Sequence, residues 1–137
     1  MYVFSVLLSL IFLVLSILHL NWALGGKWGL NAALPSNPDG EKLFKPTKGL
    51  TLLVAIVLLL ISLNYFINPE PGNPKNWIFS YSRIIIPVIF LVRAIGDFKF
   101  VGFFKKVKGT KFAEMDTKYY SPLCLIIAIL GLAVRFV

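Results

Sequence analysis

His19, Trp22, Arg93, Asp97, Tyr120 and Ser121 are the residues of this chain that could act together on a small molecule. The planar fork of Arg93 suits an anionic or carbonyl oxygen. Asp97, four residues later on the same helix face, would orient Arg93. His19 could donate, accept or relay a proton near neutral pH. Trp22 lies one helical turn beyond His19, and Tyr120 and Ser121 open the last apolar block. The competing interpretation is an interhelical clasp with His19 bonded to Asp97 and nothing bound. Ionisable groups within spans favour the first view by default; proximity to the interface, where charge is cheaper, favours the second.

Single residues exclude much other chemistry. Cys124 is the only cysteine and His19 the only histidine. One chain therefore offers neither a disulfide nor a cysteine-rich or multi-histidine metal site, and no metal or cofactor is expected. Cys124 itself reads as a small packing residue. Gly25-Gly26-Lys27-Trp28-Gly29 could wrap a phosphate with backbone amides, but the Walker spacing is missing. A flexible exit from the first helix is the plainer expectation.

These residues must be positioned by membrane-spanning helices. Hydrophobic residues are 58% of the 137 and charged residues 15%, against roughly 45–50% and 25% in an ordinary soluble domain. The apolar residues form four blocks, at 2–22, 49–67, 77–97 and 119–136, each near the roughly 20 residues needed to cross a bilayer. The fold class expected is an all-α integral membrane four-helix bundle, one transmembrane domain over 1–137. The first block has no basic residue before it, unlike a secretory signal, and is expected to remain as an uncleaved helix. Prolines 35, 38 and 46 interrupt the first connection, and Asn68 to Pro74 reads as a compact turn.

The net charge of +8 does not point to nucleic acid, because the lysines flank the spans. All of them except Lys75 fall in the first and third connections. That bias places both connections in the cytoplasm and both termini outside, N-out and C-out. Phe98 to Lys108 mixes aromatics with lysines and is expected as the interfacial end of the third helix, against anionic lipid at the cytoplasmic face.

Each span carries a small or polar stripe at alternating spacings of three and four. The stripes are Ser5, Ser9, Phe12, Ser16, His19; Thr51, Ala55, Leu58, Ser62, Tyr65; Arg83, Ile86, Phe90, Arg93, Asp97; and Ser121, Cys124, Ala128, Gly131, Arg135. Such spacing keeps residues on one helix face, and in lipid that face turns toward neighbouring helices. Pro87 should bend the third helix and free the carbonyl of Arg83. Arg83 could snorkel outward or reach Glu70. At 1.5 Å per residue, His19 lies about 25 Å and Arg93 about 24 Å along their helices. With Asn21, Trp22, Asp97, Tyr119, Tyr120, Ser121 and Cys124 they should form one polar layer in the cytoplasmic half.

Three segments carry a family resemblance: His19 to Gly29 (HLNWALGGKWG), Arg93 to Phe98 (RAIGDF) and Tyr120 to Cys124 (YSPLC). Together they resemble a group of small bacterial membrane proteins known only as a domain of unknown function. The resemblance implies four helices and a bacterial inner-membrane location, but no activity. Small multidrug transporters, membrane-bound glutathione enzymes and vitamin K reductase-like enzymes fit less well, since their acidic, arginine-asparagine-glutamate and paired-cysteine signatures are missing.

The leading expectation is small-ligand binding or transport through a pocket at His19, Trp22, Arg93, Asp97, Tyr120 and Ser121. A membrane enzyme with His19 as general base and Arg93 as electrostatic stabiliser is one alternative; a non-catalytic structural subunit is another. The expected partners are the bilayer and a small molecule. The substrate and any homo-oligomer stay open.

Overall fold

The computed structural model describes residues 1–69 and 77–137. Its helices are α1 (Tyr2–Ala23), α2 (Leu30–Ala33), α3 (Lys48–Ile67), α4 (Trp77–Ile95), α5 (Lys111–Met115) and α6 (Ser121–Phe136). A π-helical segment, Asp116–Tyr120, joins α5 to α6 without a break. Four helices are therefore long and apolar enough to cross a membrane: α1, α3, α4 and the continuous Lys111–Phe136. Glu70, Lys75 and most of the expected turn between α3 and α4 lie outside the described residues.

α1 packs mainly on α3 and α4 mainly on α6, and α1 also meets α6. The α1–α3 face is the serine stripe. Ser62 Oγ donates to Ser9 O at 2.8 Å, which uses its only hydrogen. Ser9 Oγ must then be the donor in its 3.1 Å contact with Ser62 Oγ. Ser16 Oγ donates to Ala55 O at 2.7 Å. Thr51, Ala55, Leu58, Ser62 and Tyr65 are the buried residues of α3, and Phe12 stacks on Tyr65 with ring centroids 5.9 Å apart.

The α4–α6 face depends on a missing side chain. Gly131 is buried, and a Cβ there would strike the Pro87 ring. The proline inside α4 thus sits where α6 offers no side chain. Arg83 does not snorkel: it is 3% exposed, with its guanidinium carbon 5.7 Å from the Tyr65 ring centroid.

α4 ends earlier than expected. Gly96 has φ +85°, and the glycine is required because a Cβ there would overlap the carbonyl of Val101. That left-handed residue stops the helix at Ile95. Residues 98–108 are therefore not its interfacial end but an irregular loop folded back on itself. Phe103 N–H donates to Ala94 O at 2.8 Å, and the amides of Lys106 and Val107 both reach Lys99 O at 2.9 Å. At the other end of this loop, Thr110 Oγ1 accepts from Ala113 N–H at 3.1 Å. This cap starts the last long helix at Lys111, well before Tyr119.

Candidate functional site

Asp116 organises the polar layer. It is fully buried and both its oxygens are engaged. Oδ1 accepts from Arg93 Nη2 at 2.8 Å and from Ser121 Oγ at 3.1 Å. Oδ2 accepts from Gly102 N–H at 2.8 Å and from Lys105 Nζ at 3.2 Å. Lys105, 3% exposed, also donates to Gly102 O at 3.0 Å and to Thr117 Oγ1. One carboxylate thus ties α4, the 96–108 loop and the π segment together. A buried carboxylate is tolerable only with such partners.

The π segment explains how Asp116 faces inward. Pro122 has no N–H to return to the carbonyl four residues earlier, and its ring crowds that position. The wider π turn relieves the crowding and lengthens the backbone hydrogen bond to five residues, Ser121 N–H donating to Asp116 O. Asp116 and Ser121, five apart, then share a face and a hydrogen bond.

Two sequence expectations are corrected here. Arg93 pairs with Asp116, not Asp97. His19 is not bonded to Asp97 either; its Nδ1 meets Leu15 O at 2.7 Å. Asp97 lies past the end of α4, where Oδ1 accepts the amides of Lys99 at 2.9 Å, Phe100 at 2.8 Å and Val101 at 3.0 Å. Partial burial opposes its ionisation, but these N–H donors outweigh that and hold its carboxyl below the usual range. Asp97 is a loop-folding residue in this geometry.

The remaining expected residues do converge. A cavity of about 360 Å³ is lined by His19, Trp22, Arg93, Tyr120 and Cys124, with Leu15, Leu58, Phe90 and Ile127 among its apolar walls. Its lining brings together α1, α3, α4, the π segment and α6. Ser121 and Asp97 are not part of the lining; Ser121 is buried behind it, on Asp116. The His19 and Trp22 rings meet edge to face, centroids 4.9 Å apart. Trp22 Nε1 is spent on Trp28 O at 2.7 Å, so Trp22 offers the cavity carbon surface.

Arg93 has unspent capacity. Nη2 is fixed on Asp116, while Nη1 is buried without a hydrogen-bond partner among the described residues. The Phe112 ring centroid lies 6.0 Å from the guanidinium carbon. His19 is similarly half-used. As the neutral tautomer that donates Nδ1–H to Leu15 O, it keeps a lone pair on Nε2. No group of histidines, cysteines and carboxylates that could hold a metal occurs among the described residues.

A family model described as "Protein of unknown function (DUF3995)" matches residues 12–131. No curated protein and no solved structure matches the chain.

Proposed function

The chain belongs to the DUF3995 family, and we propose that it is a multi-pass bacterial inner-membrane protein that binds a small molecule in the His19–Arg93 cavity. The observation that carries this is the free Nη1 of Arg93, on a residue that lines the cavity and is held in place by Asp116. A buried N–H without an acceptor costs about 1–3 kcal/mol, which a ligand oxygen would recover. The ligand class follows from the lining: an anionic or carbonyl oxygen for Arg93, a hydrogen-bond donor for His19 Nε2, and a carbon skeleton against Leu58, Phe90 and Ile127.

The helices form a four-helix bundle, with the lysine-rich connections in the cytoplasm and both termini outside. A reporter fused after Val137 that is active only outside the cytoplasm should therefore be active. The binding reading is tested by solvent extraction of wild-type and Arg93→Lys protein purified side by side. A small acid or carbonyl compound should accompany the wild type and fall at least about tenfold in the variant, since a point charge does not reproduce the planar fork. Equal content in both would remove the reading.

An enzymatic reading rests on one further observation, the contact of His19 Nδ1 with Leu15 O, which in the neutral ring leaves the lone pair on Nε2. That atom could act as a general base toward a substrate held by Arg93. Turnover lost in His19→Gln with binding retained would select it over simple binding or transport.

A further inference from the structure

Where α1 ends and α3 begins lies a second cavity, of about 430 Å³. It is lined by Lys27, Lys42, Lys45 and Lys48, and no acidic side chain is part of its lining. Neither ion pair among the described residues involves these lysines. The acidic residues of the same connection are not drawn in; Glu41 is turned toward Asn37, whose Nδ2 donates to it at 3.1 Å.

The lysines are placed by the local fold. Lys42 reaches the carbonyls of Asn31 and Leu34 and also Ser36 Oγ, the last at 3.1 Å. Its charge therefore meets only neutral dipoles. Lys48 folds back over Gly25, where a Cβ would lie 3.6 Å from its Nζ. Gly25 has φ +98°, a conformation that suits glycine. The rest of the lining is largely apolar, from Trp22, Leu30, Leu34 and Pro46.

Four cations around a concavity with no carboxylate repel one another and raise the local concentration of anions. In a bilayer crossed by these two membrane-length helices, the cavity at their ends would lie at headgroup depth. Lysine is a point-charge donor suited to phosphate. We propose that this cavity binds a phosphate group, carried either by an anionic lipid headgroup or by a soluble phosphate. The apolar lining gives the start of an acyl chain a place to lie. Apart from Trp22, which lines both, this cavity shares no lining residue with the His19–Arg93 cavity, so either site can fail without the other.

The test uses the full chain in detergent, titrated with phosphatidylglycerol, with phosphatidylcholine and with inorganic phosphate. Adducts are counted by native mass spectrometry. Lys45→Gln/Lys48→Gln is compared with Lys106→Gln/Lys108→Gln, which removes equal charge from the other lysine-rich loop. Phosphatidylglycerol should bind the wild type in preference to phosphatidylcholine, and that binding should weaken about thirtyfold in the first variant alone. Displacement of the lipid by millimolar inorganic phosphate would assign the site to a soluble phosphate; resistance to it would assign a lipid headgroup. Equal weakening in both variants, or none in the first, would overturn the proposal. A far-ultraviolet circular dichroism spectrum unchanged from wild type qualifies each variant for the comparison.

Discussion

Arg93 near the end of α4 and Asp116 in the π segment meet at 2.8 Å, the arginine side chain 31% exposed and the aspartate wholly buried. The carboxylate also holds Lys105 and the Gly102 amide. It therefore determines both the direction of the guanidinium and the course of the 96–108 loop. Of this junction, Arg93 is the member that lines the cavity.

Asp116→Asn leaves both Lys105 and Arg93 without their counter-charge among the described residues. Removing one partner of a buried ion pair costs about 3–5 kcal/mol. Denaturant titration in detergent should show a loss of that order. Lys105→Met should cost less, since Arg93 still neutralises Asp116, and combining the two changes should cost less than their sum.

Gly131→Ala forces a methyl group into the Pro87 ring. Neither the ring nor the helix behind it yields easily, and overpacking of this kind costs about 1–3 kcal/mol. Thermal unfolding should report the loss. Adding Pro87→Ala should recover part of it, and a cycle without such coupling would show that the two residues do not meet.

The turn after α4 should depend on pH through Asp97. Its folded-state carboxyl titrates below the ordinary value of 3.8. The stability it adds is then complete above that value and lost as pH falls through the folded one. Exchange protection of the Lys99, Phe100 and Val101 amides, corrected for intrinsic rates, should stay flat down to about pH 4 and decline below it. In Asp97→Asn the protection should already be reduced at neutral pH, with no acid transition.

The inward faces of α1 and α3 were legible because ordinary helices repeat at three and four. Ser5, Ser9, Phe12 and Ser16 are buried, and so are Thr51, Ala55, Leu58, Ser62 and Tyr65. The same rule missed Asp116. Counting back from Ser121 by three or four reaches Lys118 or Thr117, whereas the π turn steps back five. Pro122 was the local sign of that irregularity, and Thr110, a good N-cap, marked the earlier start of the helix. Asp97 misled for a related reason: its i, i+4 spacing from Arg93 has meaning only if the helix continues, and Gly96 ends it. The fold of residues 98–108 had no periodic signal, since it depends on distant contacts such as Gly102 with Asp116. Depth along the helices still brought His19, Trp22, Arg93, Tyr120 and Cys124 to one cavity.

The most direct measurement is a native mass spectrum of the detergent-purified wild type beside Arg93→Lys, both released gently enough to retain bound molecules. A single stoichiometric small-molecule adduct on the wild type, absent from a folded Arg93→Lys protein, is the predicted result, and its mass identifies the ligand. A bare wild-type chain, with Arg93→Lys differing only in stability, would contradict a ligand at Arg93. The Arg93–Asp116 junction would then be an interhelical clasp.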